Sequence, residues 1–99
     1  MRIATVLGMV TLNRCIPEFE QASLKLVCPL DLDGIEQVAA GKSPESDETL
    51  VAWDLIGVGN ESTVAISEGP EASMPFRPEI KPIDTSIAAL LDTIELDQP

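Results

Sequence analysis

From Arg2 to Leu12 the side chains alternate with the period of a β-strand. Ile3, Thr5, Leu7 and Met9 share one face; Ala4, Val6, Gly8 and Val10 share the other. Both faces are mainly apolar, which predicts a strand covered on both sides. Gly8, in its middle, predicts a bulge or a close backbone approach. Strand-like runs recur at Leu24–Leu30, Leu50–Ile56 and Ser62–Ser67, and Pro29 is expected to put the end of the second at an edge. Gly57-Val58-Gly59-Asn60 separates the third run from the fourth. Glycine reaches positive φ at no steric cost, so this sequence predicts a tight loop between strands.

The remaining segments are polar or broken by proline. Asn13–Ser23 reads as an acidic loop interrupted by Pro17. Asp33–Gly41 has the pattern of one or two helical turns, with Asp33 as the cap and Gly41 as the stop. Lys42–Glu48 reads as an exposed, mobile loop. Pro70, Pro75, Pro78 and Pro82 leave room in Glu68–Pro82 only for a short turn near Glu71–Met74. The last segment, Thr85–Leu96, fits two periods. Ile87, Leu90, Leu91 and Ile94 recur at helical spacing, whereas Ile87, Ala89, Leu91 and Thr93 share one face of a strand. Four short strands need a closing partner to remove their edges, so the expectation is a fifth strand and a small barrel.

Composition narrows what such a domain can do. Only three of 99 residues are aromatic, so the core must be built from Val, Ile, Leu and Ala. The net charge is −11, with six basic residues against seventeen acidic ones. Nucleic acid binding needs cations to displace phosphate counterions and, for single strands, stacking aromatics. Both are scarce, so neither nucleic acid nor an anionic membrane surface is an expected partner. No apolar run approaches the ~20 residues of a membrane-spanning helix, and Met1–Thr5 leads straight into a strand rather than a signal peptide. The expected location is the cytoplasm. Cys15 and Cys28 are expected to be reduced thiols, at least one buried.

Candidate chemistry is sparse. The chain has no His and no Tyr, which removes the commonest general base and every Ser-His or Cys-His arrangement. Two lone thiols do not make a zinc site, and no metal or other cofactor is expected. Asp54 and Asp84 each adjoin an apolar run, and structural roles are favoured over catalytic ones for both. The Gly-x-Gly loop is followed by a strand and not by a helix N-terminus with a Lys, so it does not fit a phosphate-binding loop.

Two stretches together resemble a known family. The first is Asp54-Leu55-Ile56-Gly57-Val58-Gly59-Asn60-Glu61-Ser62-Thr63-Val64. The second is Pro82-Ile83-Asp84 running into Ile87-Ala88-Ala89-Leu90-Leu91-Asp92. With Ile3–Thr11, Leu24–Val27 and Ser67–Ala72 in matching positions, the chain is similar to the bacterial microcompartment vertex proteins, the EutN/CcmL family. The resemblance covers residues 1–99 as one domain, apart from a loop insertion around 33–48. It implies an all-β fold, a small five-stranded OB-like β-barrel with a short helical turn, assembling as a cyclic pentamer. It also implies a non-catalytic protein that closes the vertices of a polyhedral shell, with hexameric shell proteins as partners and encapsulated enzymes as further candidates. Asp54 and the loop Gly57, Val58, Gly59, Asn60, Glu61 and Ser62 would then face a neighbouring subunit near the five-fold axis, with Trp53, Asp84 and Asp92 as structural residues. The chain departs from the family where Glu61-Ser62 replaces Gly-Glu, where Val58 replaces Ala and where Ser73 replaces a basic residue. Five copies at −11 each would put −55 on the ring, a repulsion that apolar burial must offset. Two other readings stand beside this one. One is a monomeric OB-like module binding a small molecule, peptide or oligonucleotide; the other is an acid-dependent enzyme built on Asp54 and Asp84.

Overall fold

The computed structural model describes residues 1–44 and 48–96. Part of the loop expected over Lys42–Glu48 therefore lies outside the described residues. Five strands, β1 (Arg2–Val10), β2 (Leu24–Pro29), β3 (Leu50–Asp54), β4 (Thr63–Glu68) and β5 (Thr85–Leu90), close into a barrel in the order β1-β2-β3-β5-β4. All pairings are antiparallel except β3–β5, which is parallel and joins only Trp53 to Ser86 and Asp54 to Ile87. Inward-facing Ala4, Val6, Val27, Ala52, Val64, Ile66 and Ile87 form the core, with Val58 inserted from the loop after β3. These are the β-branched and small residues that the scarcity of aromatics requires.

The last element is a strand, as the closure argument expects, but it ends at Leu90 rather than Leu96. Leu91 N–H still donates to Thr63 O at 2.9 Å, after which the chain leaves the barrel. The loop at Gly57–Asn60 is not a hairpin turn, because β5 lies between β3 and β4. It crosses one end of the barrel instead. The register of β1 against β2 shifts between Val6 and Gly8. A Cβ at Gly8 would meet nothing within 4 Å, so the irregularity is a bulge and not a close backbone approach.

The polar segment after β2 holds α1 (Leu32–Ala39), a two-turn helix. Its cap is Asp31, not the expected Asp33: Asp31 has extended dihedrals, and its Oδ1 accepts from Gly34 N–H at 2.8 Å. Asp33 sits instead in the first turn, where a negative charge faces the positive end of the helix dipole. Gly41, at φ +79°, stops the helix as expected. Gly41 N–H donates to Val38 O and Lys42 N–H to Gln37 O, the two bonds of a Schellman ending. The proline-rich segment is more regular than predicted. Gly69–Phe76 is a 3₁₀ helix, and Pro17–Phe19 forms a second 3₁₀ turn.

The outer face of β1 differs from expectation. Thr5 is buried and shares a cleft with Val38 and residues 41–44. Beyond it, Leu7 is 47% and Met9 67% exposed. Among the described residues, this apolar face is covered only as far as Thr5.

Candidate functional site

Asp54 ends β3 and organises the loop that follows. Its carboxylate folds back and accepts three backbone N–H bonds, from Ile56 (2.9 Å) and Gly57 (2.8 Å) on Oδ1 and from Val58 (2.9 Å) on Oδ2. This capture is why the strand stops two residues short of the apolar run at Ile56. Lys25, which precedes Leu26 on β2, places its Nζ 3.8 Å from Asp54 Oδ2. Burial of Asp54 pushes its pKa up, but the three N–H donors, with Lys25 adding to them, hold it below the ordinary carboxylate value. A carboxylate saturated in this way is a poor proton acceptor, which argues against a catalytic Asp54. Asp84, its proposed catalytic partner, is exposed on the approach to β5, and what engages there is its backbone carbonyl, which accepts from Gly69 N–H at 2.9 Å. Asp92 is also exposed, beside a shallow groove lined by Val38, Thr63, Leu91 and Ile94.

The loop is built in two layers. Val58 points inward and fills the end of the barrel at 4% exposure. Leu55, Ile56, Gly57, Gly59, Asn60 and Glu61 are exposed. Gly57 has φ +91° with open space around its Cβ position, so glycine is needed for conformation and not for room. Where the chain returns to the barrel it pairs with β1: Glu61 N–H donates to Val6 O at 2.8 Å, and Val6 N–H to Ser62 O at 2.9 Å.

Glu61 itself adopts φ +68°, a left-handed conformation that is costly for a residue with a Cβ. This is the position where the family resemblance expects glycine. Glu61→Gly is therefore expected to raise the stability of the isolated chain by about 0.5–1 kcal/mol, the relief of strain exceeding the added unfolded-state entropy. Urea unfolding checks it: the midpoint should rise with no change in slope. A lower midpoint would show that the Glu61 side chain is held by contacts outweighing the backbone cost.

Sequence reasoning missed a second constellation. The chain's three aromatics meet on the outer wall of the barrel. Trp53 stacks on Phe19 at 5.7 Å between centroids and at 28°, and meets Phe76 at 4.7 Å and 60°. Lys81 Nζ lies 5.7 Å from the Trp53 ring centroid and donates to Glu18 O at 3.0 Å. The available signal was that Phe19 and Phe76 each close a segment begun by proline or containing it, next to an otherwise aromatic-free core. Cys15 is exposed and Cys28 buried, both as free thiols. Among the described residues, no three His, Cys, Asp or Glu side chains are grouped to hold a metal ion, and no helix is long and apolar enough to cross a membrane.

Comparison with known proteins gives this geometry a context. A family described as "Ethanolamine utilisation protein EutN/carboxysome" matches residues 1–92. The carboxysome shell vertex protein CcmL of Synechococcus elongatus is 30% identical over 97 residues, covering 98% of this chain and 89% of that protein. Among solved structures, CcmL of Gloeobacter violaceus superposes with a TM-score of 0.81 at 26% identity, over 98% of this chain and 91% of that one. The pentameric shell protein MSM0273 from the RMM microcompartment gives 0.76 at 26% identity, over 100% and 99%. The chain belongs to the EutN/CcmL family.

Proposed function

We propose that this chain is a structural shell protein whose pentamer caps the vertices of a polyhedral bacterial microcompartment in the cytoplasm. The observation that carries this reading is the match with a carboxysome shell vertex protein, which is 30% identical and spans 98% of this chain and 89% of that protein. Closure of a ring needs two unlike surfaces on each protomer. The uncovered apolar face of β1, with Leu7 and Met9, suits one. The loop from Asp54 to Ser62 suits the other, because Asp54 holds its backbone in one shape while Leu55 and Ile56 point outward at 46% and 47% exposure. In this reading Asp54 and Val58 support the loop from within, and Gly57, Gly59, Asn60, Glu61 and Ser62 meet the neighbouring subunit near the five-fold axis. Hexameric shell proteins flank the ring, and encapsulated enzymes lie on its inner side. Residues 33–48, which carry most of α1, are a loop insertion of the single domain.

The monomeric binding module is the weaker reading. Its cleft would need free aromatics, but Trp53 is buried and packed between Phe19 and Phe76.

Co-expression with a hexamer-forming shell protein tests the vertex role. Closed polyhedra are expected with this chain and open sheets or tubes without it; identical assemblies in both cases would overturn the reading. For the ring itself, native mass spectrometry is expected to show a pentamer for the wild-type chain and a monomer with unchanged far-UV circular dichroism for Met9→Asp. A Met9→Asp protein that remains fully pentameric would remove β1 from the interface.

A further inference from the structure

The segment after the 3₁₀ helix Gly69–Phe76 is fastened at both ends to one indole. Phe76 packs on Trp53 at 4.7 Å. Five residues on, Lys81 places its ammonium over the same ring and donates to Glu18 O at 3.0 Å. Backbone bonds stiffen the stretch between them: Arg77 N–H donates to Met74 O at 3.2 Å, and Glu79 N–H to Phe76 O at 2.8 Å. The Glu79 carboxylate pairs with Lys81 at 3.5 Å. Arg77, Pro78, Glu79 and Ile80 therefore stand as a tip on a fixed base, and all four are exposed.

What the tip presents has no role in the fold. Ile80 is 86% exposed, and Met74 nearby is 48% exposed. A flexible loop would let an isoleucine find cover; this one holds it in water. Its charge is also unspent. Among the described residues Arg2, Lys25 and Lys81 pair with carboxylates, whereas Arg77, like Arg14 and Lys42, has none within 4.0 Å; of these three, only Arg77 stands beside a large exposed aliphatic side chain on a braced tip. A preorganised loop carrying one large aliphatic side chain and one free guanidinium loses little entropy on binding and offers the residue types that anchor interfaces.

We propose that the Arg77–Ile80 tip docks this chain onto a different protein, one whose surface offers an apolar pocket with a carboxylate at its rim. Resting on the vertex reading, that protein is the facet subunit beside the ring. A second copy of this chain fits less well. The apolar groove it offers, lined by Leu12, Cys15, Ile16, Leu24, Val51 and Ile83, carries Arg14 at its edge and would meet Arg77 with like charge.

Ile80→Asp and Arg77→Glu, each made in the full chain and co-expressed with the hexamer-forming shell protein, test this. Both variants are expected to remain pentameric by native mass spectrometry and to unfold at the wild-type temperature. The amount recovered in assembled shells should fall at least about tenfold, as for loss of an interface anchor, while Arg77→Lys keeps most of it. Recovery within about twofold of wild type for both would overturn the proposal, taking a twofold change as the size of a peripheral contact. Loss of the pentamer in Ile80→Asp would also overturn it, by assigning the tip to the ring. A wild-type chain that leaves shells open would overturn the vertex reading and this partner with it.

Discussion

Asp54→Ala is expected to lower the unfolding free energy of the isolated chain by about 3–5 kcal/mol, the range for removing one partner of a buried, hydrogen-bonded charge pair. The loss has two parts. Three backbone N–H groups lose their acceptor at once, and Lys25 is left facing the end of the barrel with no counter-charge. An unsatisfied buried donor costs about 1–3 kcal/mol, so even partial rescue by water leaves a large deficit. Against a domain stability of about 5–15 kcal/mol, this is the difference between a robust protomer and a marginal one. Asp54→Asn should fall between. Its amide oxygen still accepts from Ile56 and Gly57, but the NH₂ group meets Val58 N–H and Lys25 donor to donor. Urea unfolding followed by Trp53 fluorescence measures both variants, and a loss below about 1 kcal/mol for the alanine variant would mean that the loop holds its shape without the carboxylate.

The same residue sets a pH signature. Its pKa is lowered in the folded chain, so the unfolded chain binds the proton first as pH falls. The stabilisation is fully present above the unfolded value of about 3.9 and disappears as pH drops through the folded value. Wild-type stability minus Asp54→Ala stability should therefore be constant near neutrality and shrink below about pH 4. The difference is the useful quantity, because protonating the other carboxylates also relieves the repulsion of a chain at −11.

The period-two runs showed where the strands lie, because each strand must keep one face in a core whatever its neighbours. Strand order was not legible. The Gly57–Asn60 loop has the local chemistry of a hairpin, yet β5 enters between β3 and β4 through contacts some thirty residues away, which local turn preferences do not encode. Asp54 stood out by its place beside an apolar run, but its three acceptor bonds depend on the loop folding back over it. The helix cap was misplaced by two residues, since Asp31 and Asp33 are equally able to cap and only backbone geometry chooses between them. The β1 pattern predicts cover on both faces, and the isolated chain supplies it on one. In the vertex reading, the cover missing over Leu7 and Met9 comes from the neighbouring subunit. The aromatic cluster was invisible because Phe19, Trp53 and Phe76 lie far apart in sequence and share no period.

Trp53→Ala should be as damaging to stability as Asp54→Ala, but by a different route and with a different consequence. Trp53 is 8% exposed, on the outer wall of β3. Truncating a buried indole costs about 3–5 kcal/mol, with the larger values where surroundings cannot collapse into the space. Here collapse is limited: Phe19 and Phe76 come from separate 3₁₀ segments with proline-fixed backbones. The variant also loses the ring beneath Lys81 and beside Phe76, so the Arg77–Ile80 tip loses both of its contacts with the indole and keeps only the Lys81 bond to Glu18 O as a tether at that end. The inner core of Val6, Val27, Val64, Ile66 and Ile87 does not touch this damage directly. Stability and docking should therefore separate from folding. At low temperature the variant should still form the barrel and the pentamer, seen by far-UV circular dichroism and native mass spectrometry, while shell incorporation falls with that of Ile80→Asp. Trp53→Phe keeps a stacking surface and should recover part of both properties. A Trp53→Ala pentamer that enters shells as well as wild type would show that the tip needs no fixed base, and that the cluster serves stability alone.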